Sequence, residues 1–188
     1  MSPLGRLVVV GLLLGATACQ GRLALSKPET VKQDTLRSVV SSATIAGPPD
    51  AVFALITTAR FWPEWHPATQ AVGGVTERPY RLGDRISERG RIGPLDFQVV
   101  WRVAEYAPPS RVVLQAEGSP TRITYTFQAL VAGTRFVRAL EYRPDVLPPR
   151  LTDPETFDRL MRQQSEQAVT QLKALVEKIL RAEIIPAP

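Results

Sequence analysis

The hydrophobic pattern of this chain changes its period near residue 144, and this change constrains the fold more than any other feature. Over residues 95–105 (LDFQVVWRVAE) apolar and polar residues alternate, which predicts a half-buried strand. Beyond Pro149 the apolar residues recur three and four positions apart, which predicts an amphipathic helix. We therefore expect a sheet that is covered by one long helix.

Residues that favour turns divide the part before this helix into strands. Examples are Gly93-Pro94, Pro108-Pro109-Ser110, Gly118-Ser119-Pro120 and Ala132-Gly133. Turns spaced about 10–13 residues apart are typical of an antiparallel meander. The pattern predicts strands over residues 38–47, 68–77, 84–92, 95–105, 111–117, 121–130 and 134–143.

Val40, Ala43 and Ile45 are the apolar members of the first predicted strand. Two short helices are predicted to follow this strand. Pro and Asp before AVFALI favour a helix start, and Val52, Phe53 and Ile56 share one side of it. A second helical turn is predicted over 59–65, interrupted at Pro63.

The long C-terminal helix is predicted to begin at Pro154, to be capped by Asp153 or Thr152, and to end near Ala182. Its apolar stripe is Phe157, Met161, Gln164, Ala168, Leu172, Leu175 and Ile179. The fold class that follows is α+β, a helix-grip fold: a curved antiparallel sheet of about six to seven strands wraps the long helix. The space between them is either packed shut or left as an apolar cavity, which is where ligands usually bind.

The first eighteen residues have the properties of a signal peptide. Arg6 precedes an apolar or small run over 7–18, which is shorter than the roughly 20 residues a transmembrane helix needs. The segment Gly15-Ala16-Thr17-Ala18 before the single cysteine, Cys19, resembles the lipobox of bacterial lipoproteins, although Leu is more usual at Ala16. That resemblance implies cleavage before Cys19 and a diacylglycerol on its sulfur. Alternatively, Ala16-Thr17-Ala18 is an ordinary secretory cleavage site, which leaves the protein soluble.

The expected organisation is a signal peptide (1–18), a lipidated cysteine with a flexible tether (19–37), a domain (38–183) and a tail (184–188). The resemblance to lipoproteins implies a cell-envelope location facing the periplasm. By the same resemblance, Gln20 after the cysteine implies the outer membrane if the cell is Gram-negative. The alternative is a soluble secreted or periplasmic protein.

Composition makes several classes of partner improbable. The net charge is +5, yet no run of five Lys or Arg occurs, so we expect no nucleic-acid partner and a modest basic surface near an anionic membrane. One Cys and one His exclude a disulfide framework and the usual Cys- and His-rich metal sites. We expect neither a metal nor a cofactor.

Several segments of the predicted domain resemble the START-like superfamily, also called SRPBCC, or polyketide cyclase/dehydrase and lipid transport proteins. They are IAGPPDAVFALI (45–56), FWPEWHP (61–67), Gly83-Asp84, Gly133-Thr134-Arg135 and Glu141-Tyr142. The resemblance spans roughly residues 38–180. It implies the helix-grip fold and leaves the function open, because this superfamily includes lipid carriers, cyclases, hormone receptors and chaperone activators.

Three residues are candidates for acid–base chemistry. His66 is a candidate because it carries the one imidazole. Glu141 is a candidate because either it or its neighbour Tyr142 points inward from the last strand. Tyr125 is a candidate because it has the same parity as Ile123 and Phe127. The simpler alternatives are a rim histidine and a solvated glutamate.

Strand parity and the helix stripe also predict the wall of a cavity. Gln164 stands on the apolar stripe, and a polar group there must be paired or must face a ligand or water. The alternative for the aromatic residues is plain core packing. The predicted ligand-binding residues are Trp65, Phe97, Val99, Trp101, Tyr125, Phe127, Met161 and Gln164.

Three functional hypotheses follow from these features. The first is a module that binds a hydrophobic small molecule or lipid, and that contacts the membrane through Cys19. The second is a cyclase- or dehydratase-like enzyme that uses the same cavity. The third is an envelope interaction protein without a ligand.

Overall fold

The computed structural model describes residues 36–143 and 153–184, with side chains up to residue 182. The predicted signal peptide, Cys19 and all of the tether before residue 36 lie outside these residues. In chain order the elements are β1 (Arg37–Ile45), α1 (Pro49–Ile56), a 3-10 turn (Ala59–Phe61), α2 (Trp62–Trp65), β2 (Thr69–Gly74), β3 (Arg85–Ile92), β4 (Leu95–Ala107), β5 (Arg111–Ala116), β6 (Arg122–Leu130), β7 (Gly133–Tyr142) and α3 (Pro154–Ile184).

In the part of the chain that the structure describes, seven strands form one curved antiparallel sheet. Its order is β1-β7-β6-β5-β4-β3-β2, so the first strand pairs with the last and the remainder is a meander. The predicted α+β helix-grip architecture is confirmed, including the two short helices after β1 and the long helix α3.

The pairing of β1 with β7 determines which residues of β1 face the interior. Val39 lies opposite Leu140 and Ser41 lies opposite Arg138, and these side chains are buried. Val40 therefore points outward and is 63% exposed. The sequence pattern leaves the face of Val40 open, because two adjacent valines make the parity ambiguous, and the pairing with β7 resolves it.

The first short helix packs as predicted, with Val52, Phe53 and Ile56 buried. The prediction for Pro63 is wrong. This residue does not interrupt a helix; it occupies the first turn of α2, where a proline costs no backbone hydrogen bond.

Helix α3 begins at an Asp153 cap, whose Oδ1 accepts hydrogen bonds from the backbone N–H of Glu155 (3.1 Å) and Thr156 (2.9 Å). Two side chains of α3 also bind the end of β1. Lys173 Nζ donates to the carbonyl of Thr44 (2.7 Å), and Glu177 Oε1 accepts from the N–H of Ala46 (2.8 Å).

The buried face of α3 differs in part from the predicted stripe. Phe157, Ala168 and Leu172 are buried as predicted, whereas Leu175 and Ile179 are only half-buried. Spacings of three and four admit two adjacent stripes, and the structure buries residues of both. The buried positions that the pattern missed are Asp158, Ser165, Val169, Val176 and Leu180.

None of the helices in residues 36–143 and 153–184 is long and apolar enough to cross a membrane.

Leu172 should contribute strongly to stability because it is 1% exposed at the centre of the helix–sheet interface. We predict that Leu172→Ala lowers the free energy of unfolding by about 2–5 kcal/mol, through lost burial and the cavity left behind. The same change at Leu82, which is 67% exposed, should cost less than about 0.5 kcal/mol. Urea unfolding followed by tryptophan fluorescence measures both values, and equal losses would contradict the assigned core.

Candidate functional site

A cavity of about 180 Å³ lies between the inner face of the sheet and α3. Strands β2, β3, β4, β6 and β7 contribute the sheet side, while α2 and the N-terminal half of α3 close the remaining sides. Most of its wall is aromatic or aliphatic, and the polar members are gathered from several elements. The lining residues are Trp62, Trp65, His66, Thr69, Glu88, Ile92, Phe97, Val99, Trp101, Thr121, Ile123, Tyr125, Arg138, Leu140, Tyr142, Arg143, Phe157, Met161, Gln164 and Ser165.

Five of these residues form a continuous hydrogen-bonded series, which we call the polar chain: Arg138, His66, Thr69, Glu88 and Trp101. The Thr69 hydroxyl donates to Glu88 Oε1, and Trp101 Nε1 donates to Glu88 Oε2 at 2.7 Å. His66 Nδ1 lies 3.1 Å from Thr69 Oγ1, and Arg138 Nη2 lies 3.4 Å from His66 Nε2. The polar chain thus links four strands and the loop after α2.

The polar chain determines the tautomer of His66. The single hydroxyl proton of Thr69 is used on Glu88, so Nδ1 of His66 must carry the proton that bridges to Thr69. Nε2 then accepts from Arg138. Burial of the imidazole, together with the nearby charge of Arg138, lowers the pKa of His66 to about 3. The residue as a whole is half-buried, but its ring nitrogens contact the buried residues Thr69 and Arg138. His66 is therefore neutral at physiological pH.

Glu88 is held inward by the pleat of β3, in which Ile86 and Gly90 share its parity. Burial raises the pKa of Glu88, while the hydrogen bonds from Thr69 and Trp101 and the charge of Arg138 oppose that increase. Gly90 leaves no space for a side chain, because a Cβ there would lie 2.1 Å from the carbonyl of Ala68 and 2.6 Å from the ring of Phe97. The glycine thus allows the β2 end to approach the cavity wall.

Arg138 is a second buried charged group at the cavity, and it is only 3% exposed. Its Nη1 donates to Ser165 Oγ (3.0 Å), which also accepts from Ser41 Oγ (2.9 Å). Its Nε has no hydrogen-bond partner among the described residues. Burial raises the pKa of the neighbouring Tyr125 to about 12, partly offset by the charge of Arg138, so this phenol stays protonated.

The structure places seven of the eight predicted ligand-binding residues at the cavity: Trp65, Phe97, Val99, Trp101, Tyr125, Met161 and Gln164. Of the acid–base candidates, it brings His66 and Tyr125 to the same cavity. That these residues bind a ligand remains a prediction.

Two predicted residues lie elsewhere. Phe127 packs against Phe53 (5.0 Å between ring centroids) and Phe136 (5.3 Å), in the core rather than at the cavity wall. Glu141 points to the outer face of the sheet and pairs with Arg122, whose Nε lies 2.7 Å from Glu141 Oε2. The inward position belongs to Tyr142, whose hydroxyl donates to Asp158 Oδ1 at 2.6 Å.

The sequence-based list missed Glu88, Arg138, Thr69 and Ser165. A signal for the first two is present in the sequence, because each occupies the inward parity of a strand. Glu88 stands between Ile86 and Gly90, and Arg138 stands between Phe136 and Leu140. A charge at such a position is costly unless it is paired or has a function.

The sequence model of one protein family, described as polyketide cyclase / dehydrase and lipid transport, matches residues 37–177, the segment that builds the sheet, the cavity and most of α3. This chain belongs to that family. The match confirms the resemblance to the START-like superfamily. No curated protein sequence matches the chain significantly.

Solved structures share the fold at low sequence identity. The Zhui aromatase/cyclase from Streptomyces sp. R1128 is 16% identical with a TM-score of 0.61, over 79% of this chain and 98% of that one. A protein from Thermus thermophilus is 16% identical with a TM-score of 0.61, over 74% and 97% of the chains. A Staphylococcus aureus protein of unknown function is 10% identical with a TM-score of 0.61, over 79% and 98%. At these identities the likeness shows the fold alone.

We predict that the imidazole of His66 remains neutral and protonated on Nδ1 down to pH 5. Its pKa of about 3 in the folded protein lies below the ordinary 6.5, so its contribution to stability is present above pH 6.5 and is lost as the pH falls toward 3. Nitrogen-15 NMR of the imidazole measures both properties, and the signal is unambiguous because the chain has one histidine. A midpoint near pH 6.5 in the folded protein would contradict the prediction.

Proposed function

We propose that this domain binds a hydrophobic small molecule or lipid in the cavity between the sheet and α3. The observation that carries the proposal is the cavity itself, whose wall is formed mainly by aromatic and aliphatic side chains. Burying apolar ligand surface there contributes about 25 cal/mol per Å². The family to which the chain belongs, named for polyketide cyclisation and lipid transport, supports the same class of ligand.

The sequence before the domain supports a second part of the proposal. We infer that residues 1–18 direct export and that Cys19 carries a lipid, so the domain is tethered in the cell envelope and faces the periplasm. The lipobox-like segment that ends at Ala18 supports this inference. Ordinary secretory cleavage at the same bond is the alternative.

An acid–base enzyme is the second candidate function, because one specific arrangement favours it. His66 is oriented through Thr69 by the carboxylate of Glu88, an arrangement that resembles a base held by a third group. Its Nε2 nevertheless faces Arg138, and the positive charge there opposes proton uptake. A base that stays neutral to about pH 3 is weak, so ligand binding is the better supported function.

Filling the cavity should abolish binding of an apolar probe. We predict that N-phenyl-1-naphthylamine binds the wild-type protein saturably, and that Met161→Trp weakens this binding about tenfold or more. Met161 lines the cavity, whereas Val40 lies on the outer face of β1, so Val40→Trp is the matched control and should have no effect. Probe fluorescence measures the affinities. Failure of the wild-type protein to bind the probe, or equal binding by both variants, would overturn the proposal.

Metabolic labelling tests the lipid anchor. Expressed as the full chain in a bacterium with an alkyne-tagged palmitate, the wild-type protein should incorporate label and fractionate with membranes. Cys19→Ala keeps a small-residue cleavage site and should yield an unlabelled, soluble exported protein. An unlabelled wild-type protein in the soluble periplasmic fraction would establish ordinary secretion instead.

A further inference from the structure

The guanidinium of Arg138 is a buried cation on the wall of a mainly apolar cavity, and its hydrogen-bond partners Ser165, His66 and Tyr125 are neutral. Nη1 donates to the Ser165 hydroxyl, and Nη2 approaches the imidazole of His66. The Nε–H has no partner in the part of the chain that the structure describes. The guanidinium has five N–H donors, and bonds to Ser165, His66 and Tyr125 leave two of them, Nε–H included, for a ligand.

No carboxylate among the described residues pairs directly with Arg138. Glu88 is the nearest buried acid in the hydrogen-bonded series, but both its oxygens are engaged, one by Thr69 and the other by Trp101. Two intervening side chains separate it from Arg138 in the polar chain. Arginines on the outer face behave differently: Arg122 pairs directly with Glu141, and Arg91 with Asp96.

A buried cation without a contacting anion is costly, and the cost is recovered when an anion with matching geometry occupies the adjacent space. The planar fork of a guanidinium matches the two oxygens of a carboxylate. The Tyr125 hydroxyl, which remains protonated, lies on the same cavity wall and offers a further donor. Two arginines line the cavity, and Arg138 is the buried one. A single buried guanidinium fork matches the single charge of a carboxylate better than a doubly charged phosphate.

We propose that the ligand of this cavity is an amphipathic monocarboxylic acid, and that Arg138 binds its carboxylate while the aromatic wall holds its apolar body. This inference rests on the proposed function, since it names the chemical class of the molecule that the cavity binds. Arg138 is then the residue that selects acids over neutral molecules of the same apolar size.

The test compares ligands that differ only in the head group. Binding of decanoic acid, methyl decanoate and decan-1-ol is measured by displacement of N-phenyl-1-naphthylamine at pH 7.5. The wild-type protein should prefer the acid at least about tenfold, as a charge-assisted hydrogen-bonded pair predicts. Arg138→Met should remove this preference and retain the affinity for decan-1-ol. Arg122→Met, on the outer face, is the matched control and should behave as wild type.

Each outcome separates the two proposals. Equal affinity of the wild-type protein for acid and alcohol would overturn the carboxylate assignment and leave apolar binding intact. Binding of none of the three compounds, nor of the probe, would overturn both. An Arg138→Met protein that keeps its preference for the acid while folded, as judged by circular dichroism, would also overturn the assignment.

A second measurement avoids the risk that the variant fails to fold. Decanoic acid labelled with carbon-13 at the carboxyl reports its own ionisation when it is bound to the wild-type protein. Contact with Arg138 should hold the bound carboxyl ionised at a lower pH than in free decanoic acid. A bound carboxyl whose titration midpoint lies at or above that of free decanoic acid would overturn the proposal. The carbon-13 signal of the ligand is separate from any signal of Glu88.

Discussion

The pairing of β1 with β7 is the interaction on which the rest of the architecture depends. It joins the start of the domain to the last strand of the meander, and its register places Ser41 opposite Arg138 and Val39 opposite Leu140. Two residues of α3 attach the helix across this pair of strands. Ser165 accepts hydrogen bonds from both Ser41 and Arg138. Asp158 forms an ion pair with Arg37 and accepts a hydrogen bond from the Tyr142 hydroxyl. A slip of one residue would turn these polar groups to the outer face and remove their partners on α3. The helix position, and with it the cavity, follows from this register.

Five polar side chains of a mainly apolar cavity wall are joined in one hydrogen-bonded series, the polar chain. The members of the polar chain come from different elements: β7 gives Arg138, the loop after α2 gives His66, β2 gives Thr69 and β3 gives Glu88. Such an arrangement requires that the sheet curve enough to bring β2 and β7 to the same space. Fully apolar replacements would be expected to stabilise a domain that had only to fold, since buried charges are seldom the most stable solution. Their cost is offset in part by the hydrogen bonds of the polar chain, which hold Glu88, His66 and Arg138 beside the cavity.

The sequence predicts the architecture well because the fold depends on patterns that extend over many residues. Alternation over β4 and the 3–4 spacing of α3 each contain enough repeats to tolerate a misplaced residue, and all seven strands lie within a few residues of their predicted bounds. Predictions for single positions are less secure than predictions for whole elements. The face of Val40 and the choice between Glu141 and Tyr142 stay open in the sequence, because neighbouring residues in these short segments suit either face. Only the partner strand decides these cases, through hydrogen bonds that join residues about a hundred positions apart for β1 and β7.

The candidate site was predicted less completely than the fold, and the reason is chemical. Apolar wall residues follow from periodicity, so Trp101, Tyr125 and Met161 could be predicted, whereas Phe127 satisfies the same periodicity and belongs to the core. Periodicity shows which residues share the inward face of the sheet, but it does not show which part of that face lines the cavity. Charged residues at inward positions carry the missing information, because a charge is not buried merely to fill volume. Glu88 and Arg138 were both visible by this criterion, and only one of them, Glu88, is fully engaged by donors of the protein. Both oxygens of Glu88 accept hydrogen bonds from the protein, whereas Nε of Arg138 has no partner among the described residues.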